Sequence, residues 1–132
     1  MFGTFAGYQK ALEIADSPNV GVCLCVGCWL EGGPGMGGDG LEAIRYFAGR
    51  RKLFKVHLRN ISVPLPEGFV ETFLDDGYMS MYRVVKTLHD SGFSGAVISD
   101  HVPGMDGGRV PADAFSLGYI SALIRAAAHH AQ

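Results

Sequence analysis

The sequence predicts an α/β protein built on parallel strands, and three observations carry that prediction. Segments of helical periodicity alternate with short strand-like segments along the chain. Each strand-like segment runs into side chains able to do chemistry, as strands of parallel sheets do at their carboxyl ends. The length is the third: 132 residues supply about four strand-helix units at the roughly 31 residues that each unit of a (β/α)8 barrel uses. The expectation is therefore one domain over residues 1–132, a partial (β/α)8 barrel with about three parallel strands and flanking helices in the order αβαβαβα. Such a chain cannot close eight strands alone.

Each element follows from its spacing. Between Thr4 and Asp16, Phe5, Tyr8, Leu12 and Ala15 recur at three and four residues, with Thr4 placed to cap the helix and Pro18 to close it. Val20 to Val26 is β-branched and cysteine-rich, a strand of the kind buried on both faces. The glycines from Gly32 to Gly40 read as a loop, after which Asp39 caps a helix turning Leu41, Ile44 and Phe47 inward and ending near Gly49. Arg50, Arg51 and Lys52 follow where a helix dipole favours cations. From Leu53 to Asn60 the period drops to two, with Phe54, Val56 and Leu58 on one face and Lys55, His57 and Arg59 on the other. A long loop holding Pro64 and Pro66 leads through Glu71 to Gly77. Ser80 then caps a helix with Tyr82, Val85 and Leu88 on one side, closed by Gly92. Ala96-Val97-Ile98 is the third strand. The last helix, roughly Asp113 to Ala128, is expected to turn Leu117, Ile120 and Ile124 inward and to finish in His129 and His130, a solvated end.

Composition excludes several functions. Thirteen acidic against eleven basic residues leave no basic stripe for a nucleic-acid backbone. No apolar run approaches the roughly 20 residues of a membrane span, and Met1-Phe2-Gly3-Thr4 lacks the pattern of a signal peptide. Cys23, Cys25 and Cys28 are odd in number and too clustered for a secreted disulfide framework, so a reduced, cytoplasmic compartment is expected.

The three strand ends carry Cys25 and Cys28, His57 and Arg59, and Asp100 and His101. Taken singly, each has an ordinary structural explanation: a buried small hydrophobe, a hydrogen-bonded strand histidine, a turn. Arriving together at one rim, thiolate, imidazole and carboxylate are what a divalent transition metal needs. Other patterns lack their context. Gly33-Pro34-Gly35-Met36-Gly37-Gly38 matches G-x-G-x-x-G but starts seven residues beyond Val26, and no acidic residue closes the next strand. Cys25-Val26-Gly27-Cys28 would be a redox pair if Cys28 opened a helix, but glycines follow. A structural zinc would need a second such pair, and Ser99, Asp100 and His101 are sequence neighbours that cannot form a nucleophile triad.

Four segments in order resemble the mannonate dehydratases: Leu24-Cys25-Val26-Gly27, Lys55-Val56-His57-Leu58-Arg59-Asn60, Glu71-Thr72-Phe73-Leu74-Asp75-Asp76-Gly77-Tyr78-Met79, and Ser99-Asp100-His101-Val102-Pro103. The resemblance covers nearly the whole chain but only the C-terminal portion of the family. It implies a xylose-isomerase-like TIM barrel and a lyase of hexuronate (glucuronate) catabolism that converts D-mannonate to 2-dehydro-3-deoxy-D-gluconate and water. It implies Cys25, His57 and Asp100 as ligands of Mn²⁺ or Fe²⁺, and His101 as an acid/base group beside the metal. A further His ligand would come from earlier strands that this chain does not contain, and Phe115 falls where the family has a tyrosine.

The implied chemistry suits these residues. Dehydrating a 2,3-dihydroxy acid means removing a weakly acidic proton next to a carboxylate, which a Lewis acid assists, and protonating the departing C3 hydroxyl. A histidine titrating near neutrality can serve as acid or base. Arg59, on the same strand face as His57, either pairs with the substrate carboxylate or forms a structural salt bridge. Asp75 and Asp76 are expected to shape their loop. The chain is expected to act as a homo-oligomer or with a missing N-terminal half. The alternatives are a truncated, non-catalytic barrel fragment that self-associates through its open edges, or another xylose isomerase-like sugar isomerase or epimerase.

Overall fold

The structure, a computed structural model, describes residues 3–129; His130, at the expected end of the last helix, lies outside them. Helix α1 spans Phe5–Ala15, with the Thr4 hydroxyl accepting from the Gly7 amide at 3.2 Å. Strand β1 is Val22–Cys25 and passes directly into a short helix α2, Val26–Gly32. A 3-10 turn, Gly33–Met36, connects to helix α3, Gly40–Gly49, whose cap Asp39 accepts from the Glu42 amide at 2.7 Å. Strand β2 is Leu53–Leu58. Two short strands, β3 (Asn60–Ile61) and β4 (Glu71–Thr72), pair antiparallel beyond it. Helix α4 (Met81–Asp90), strand β5 (Ala96–Ser99) and helix α5 (Arg109–His129) complete the described chain.

The main sheet has the order β1-β2-β5, and both pairings are parallel. This is the architecture expected from the alternation of periods: part of a barrel, with adjacent strands in chain order. The helices cover one face. Val22, Leu24, Val56 and Leu58 point there and are buried with Ile44 and Phe47 of α3 and Val84, Val85 and Leu88 of α4. Phe5 ties α1 to this layer, meeting Trp29, Tyr46 and Phe47 edge-on with ring centroids 6.0, 5.2 and 5.6 Å apart. Edge-on aromatic pairs add roughly 0.5–1.5 kcal/mol each beyond the area they bury.

Several local expectations are corrected. The first strand is shorter than Val20 to Val26: Val20 is exposed and Val26 opens α2, because Cys25 caps a helix there. The segment from Gly32 to Gly40 is partly ordered as the 3-10 turn, so glycine content concealed both this turn and the helix α2 before it. Phe54 does not join the buried face. Val22 pairs with Leu53 and Cys23 with Lys55, which leaves Phe54 as the extra residue of a bulge, 43% exposed. Ala15 is exposed at the end of α1.

In α5 the buried stripe is Ala112, Ser116, Ile120, Leu123 and Ala127, whereas Leu117 and Ile124 are exposed. The helix is apolar nearly all round, so spacing offers two stripes, and packing on α4 and β5 selects the one with smaller residues.

The loop after β3 is held from within. The Asn60 carboxamide is fully buried and donates to the Leu74 and Met79 carbonyls at 3.0 and 2.8 Å, while its oxygen accepts from the Ile61 amide at 3.1 Å. A Cβ at Gly77 would stand 2.1 Å from the Asn60 side chain, so the loop can approach only as glycine.

Candidate metal centre

The parallel register builds the site. Cys25 is the Cα partner of His57, and His57 is in turn the partner of Ile98, two residues before Asp100. The Asp100 amide donates to the Leu58 carbonyl at 3.2 Å, which extends the ladder to the first residue after β5. Because strand side chains alternate, Cys23, Cys25, Lys55, His57, Arg59, Ile98 and Asp100 all stand on the face that the helices do not cover.

Cys25 Sγ, a ring nitrogen of His57 and a carboxylate oxygen of Asp100 lie within 4.8 Å of one another, each half-buried. Donors bonded to one ion at about 2.0–2.3 Å stand about 3–3.7 Å apart at tetrahedral or octahedral angles. The three reach a shared divalent ion by closing inward by up to about 1 Å, and sulfur, nitrogen and oxygen together suit a transition metal. The Cys25 thiol donates to Asp100 Oδ2 at 3.4 Å. Burial, then the hydrogen bond with the Cys28 side chain, pushes this thiol up to about 12, so ion binding must displace its proton. The His57 ring spans two neighbours, with Nδ1 3.7 Å from Asp100 Oδ1 and Nε2 3.4 Å from Cys23 Sγ.

Arg59 is the hub beneath this rim. It is 3% exposed. Its Nε donates to Asp100 Oδ2 at 3.2 Å, its Nη1 to Glu71 at 2.8 Å and also to Glu31, and its Nη2 faces the sulfurs of Cys25 and Cys28 at 3.8 and 3.4 Å. Burial opposes its charge, but Glu31 and the Cys25 sulfur hold it protonated, with a pKa above the ordinary guanidinium value. Of the two sequence readings of Arg59, the internal salt bridge is the one its contacts satisfy; reaching a substrate carboxylate would require releasing one of these partners. Gly27 lies flat against it, since a Cβ there would stand 2.5 Å from Nε.

His101 sits at the open edge of the rim, with Nδ1 2.8 Å from Glu71 Oε1 and Nε2 3.8 Å from Asp100 Oδ1. The hydrogen bond to Glu71, followed by the charges of Asp100 and Glu71, raises its pKa above the usual imidazole range. A hollow of about 360 Å³ opens beside it, lined by Asp100, His101, Pro103, Met105 and Arg109 among others. Asp75 and Asp76 are exposed and line a separate hollow with Phe73, Met105 and Phe115. Phe115 meets Phe73 edge-on at 5.5 Å and stacks on Tyr119 at 6.2 Å. Cys28, expected further out in a loop, is instead in the first turn of α2 and against Arg59.

Sequence reasoning did not assign Glu31, Glu71 or Cys23. The available signal was Arg59 itself, since an arginine on a strand between buried positions demands carboxylates. Which carboxylates is a long-range matter, as Glu31 and Glu71 are 28 and 12 residues away.

Parallel strands covered by helices on one face make the chain part of an α/β barrel, and the solved structures it superposes on are xylose isomerase-like barrel proteins. A xylose isomerase domain protein from Planctomyces limnophilus superposes with a TM-score of 0.73 at 19% identity, over 96% of this chain and 45% of that one. That likeness concerns the fold. The family is given by the sequence: the model of the D-mannonate dehydratase (UxuA) family matches residues 1–128, and the chain belongs to that family. Mannonate dehydratase 2 of Halalkalibacterium halodurans is 34% identical over 98 residues, which are 73% of this chain and 28% of that protein. The mannonate dehydratase of Thermotoga neapolitana is 30% identical over 95 residues. The crystal structure of mannonate dehydratase from Streptococcus suis serotype 2 superposes with a TM-score of 0.83 at 26% identity, covering 97% of this chain and 38% of that one. The chain thus spans about a quarter of the length of the curated relatives it matches. Among the described residues, no helix is long and apolar enough to cross a membrane.

Proposed function

We propose that this chain provides the metal-binding rim of a cytoplasmic mannonate dehydratase, a hydro-lyase that converts D-mannonate to 2-dehydro-3-deoxy-D-gluconate and water. The observation that carries the reading is the convergence of Cys25, His57 and Asp100 within 4.8 Å, with the His101–Glu71 pair alongside. Cys25, His57 and Asp100 would hold Mn²⁺ or Fe²⁺, which supplies Lewis-acid polarisation of the sugar acid.

The remaining steps belong to the chain's own groups. Glu71 at Nδ1 fixes the His101 ring and leaves Nε2 to exchange a proton with the substrate. His101 is the acid/base group: it takes the proton next to the carboxylate or gives one to the departing C3 hydroxyl. Arg59 is a positioning residue that orients Asp100 and Glu71 together. The hollow beside His101 gives a sugar acid room to approach.

The uncovered sheet face sets the partner. A second copy, or a polypeptide carrying the other strands of a barrel, completes the inner core and supplies further ligands. A second reading, a non-catalytic barrel fragment that self-associates, is favoured by the same open face and by Phe115, whose ring carries no phenolic proton. The test incubates the purified chain with Mn²⁺ and D-mannonate and follows the 2-keto product, with and without a polypeptide carrying the other barrel strands. Turnover in either arm that His57→Ala and Asp100→Ala abolish supports the dehydratase. No turnover in either arm supports the fragment.

A further inference from the structure

The Cys25-Val26-Gly27-Cys28 segment has the helix that its sequence conceals. Cys25 is the N-cap of α2, and its Sγ accepts from the Cys28 amide at 3.3 Å. Arg59 Nη2 lies 3.8 Å from Cys25 Sγ and 3.4 Å from Cys28 Sγ, so one guanidinium nitrogen faces both sulfurs. The approach is built in, because Arg59 is fixed by three carboxylates and only glycine at position 27 lets the turn lie on it. Cys28 is exposed and Cys25 half-buried, and both are free thiols. The Cys25 sulfur meets the Cys28 amide, and one guanidinium nitrogen lies against both sulfurs, so the two thiols stand side by side across a single helical turn.

We propose that Cys25 and Cys28 form a reversible intramolecular disulfide, and that this modification removes Cys25 from the metal rim. The oxidant is a low-molecular-weight disulfide of the glutathione class. The exposed Cys28 gives up its proton and its sulfur attacks one sulfur of the oxidant, breaking the S–S bond and releasing one thiolate. Cys25 then gives up its proton and attacks the Cys28 sulfur of the mixed disulfide, forming the internal bond and releasing the second thiolate. Two protein thiols are oxidised by two electrons, the small disulfide is reduced to two thiols, and the two protons pass to them. Cys23 stays out of the exchange: it lies on extended β1, about 6.6 Å along the strand from Cys25 with its side chain parallel, at the far limit for a disulfide. The disulfide leaves Cys25 no thiolate, which reduces the donor set from three groups to two; this consequence rests on the metal reading above, whereas the disulfide does not.

The test equilibrates the full chain with oxidised glutathione, blocks residual thiols, and maps cysteines by peptide mass spectrometry. In parallel, Co²⁺ is added to reduced and oxidised chain and the thiolate-to-cobalt absorption band is read. The expected result is a fall from three free thiols to one, a Cys25–Cys28 linked peptide, persistence of that link in Cys23→Ala, and its absence in Cys28→Ser. The cobalt band should vanish on oxidation, return with dithiothreitol, and survive brief oxidant exposure in Cys28→Ser. Mixed disulfides with glutathione alone, or dimers linked through Cys23, overturn the disulfide. A linked peptide in a chain whose reduced form gives no cobalt band upholds the disulfide and overturns the metal reading. A linked peptide with an undiminished band overturns the exclusion of the metal.

Discussion

The two faces of the main sheet solve different problems. The face toward the helices carries Val22, Leu24, Val56 and Leu58, all buried against side chains of the same chain. The other carries Cys23, Cys25, Lys55, His57, Arg59 and Asp100; Cys23 meets His57, Cys25 meets Asp100, and Arg59 pairs with Asp100, and no helix covers them. Stability is thus placed on one side of a single layer of strands and chemistry on the other, and strand alternation keeps them apart. Substitutions should separate the same way.

The largest effect is expected on the helix side. Phe47→Ala, at a fully buried position in contact with Phe5, Tyr8 and Tyr46, should cost about 3–5 kcal/mol in urea unfolding. His57→Ala, half-buried on the open face, should change metal-free stability by less than about 1 kcal/mol. Comparable losses for both would dissolve the distinction between the faces.

Arg59 is the exception that sharpens it, being a buried cation on the open side. Arg59→Met strands Glu31, Glu71 and Asp100, whose side chains are 23%, 33% and 18% exposed. The loss should be about 2–3 kcal/mol, below that of breaking a fully buried pair because the orphaned carboxylates keep water contact. Equilibrium unfolding at neutral pH measures it.

A smaller effect tests the frame that holds the helix side. Asp39→Ala removes the side-chain cap of α3 and should cost about 1 kcal/mol, recovered largely by Asp39→Asn.

What the sequence made legible follows the same division. Periodicity located α1, α3, β2 and α4 because each has an apolar stripe and, in the helices, a recognisable start such as Asp39 or Ser80. The convergence of Cys25, His57 and Asp100 was legible because three strand ends in a parallel sheet must share a rim. The stripe of α5 was not, since Leu117 and Ile124 compete with Ala112 and Ser116 and only contact with α4 and β5 decides. The Phe54 bulge depends on the pairing with β1, which β2 alone does not encode. Helix α2 was hidden because its interior holds Gly27 and its end Gly32, residues that weaken helix propensity but are needed against Arg59 and Met36.

On the open face, titration of His101 in the metal-free chain gives the smallest effect. Its pKa is raised by Glu71 first and Asp100 next, so NMR should place it above the ordinary value of about 6.5, and Glu71→Gln should lower it. The sign is that of a folded-state pKa above the unfolded one. The His101–Glu71 contribution is fully present below about 6.5 and fades as pH rises through the folded value. An unchanged His101 titration in Glu71→Gln would remove Glu71 from its role of holding the ring.

Joint binding of one ion by Cys25, His57 and Asp100, as proposed, is tested most directly by calorimetric titration of the folded chain with Mn²⁺, comparing wild type with His57→Ala and Asp100→Ala. One saturable ion per chain is expected, with a loss of at least about 10–100-fold in affinity for each substitution. Equal affinity in all three proteins would contradict it.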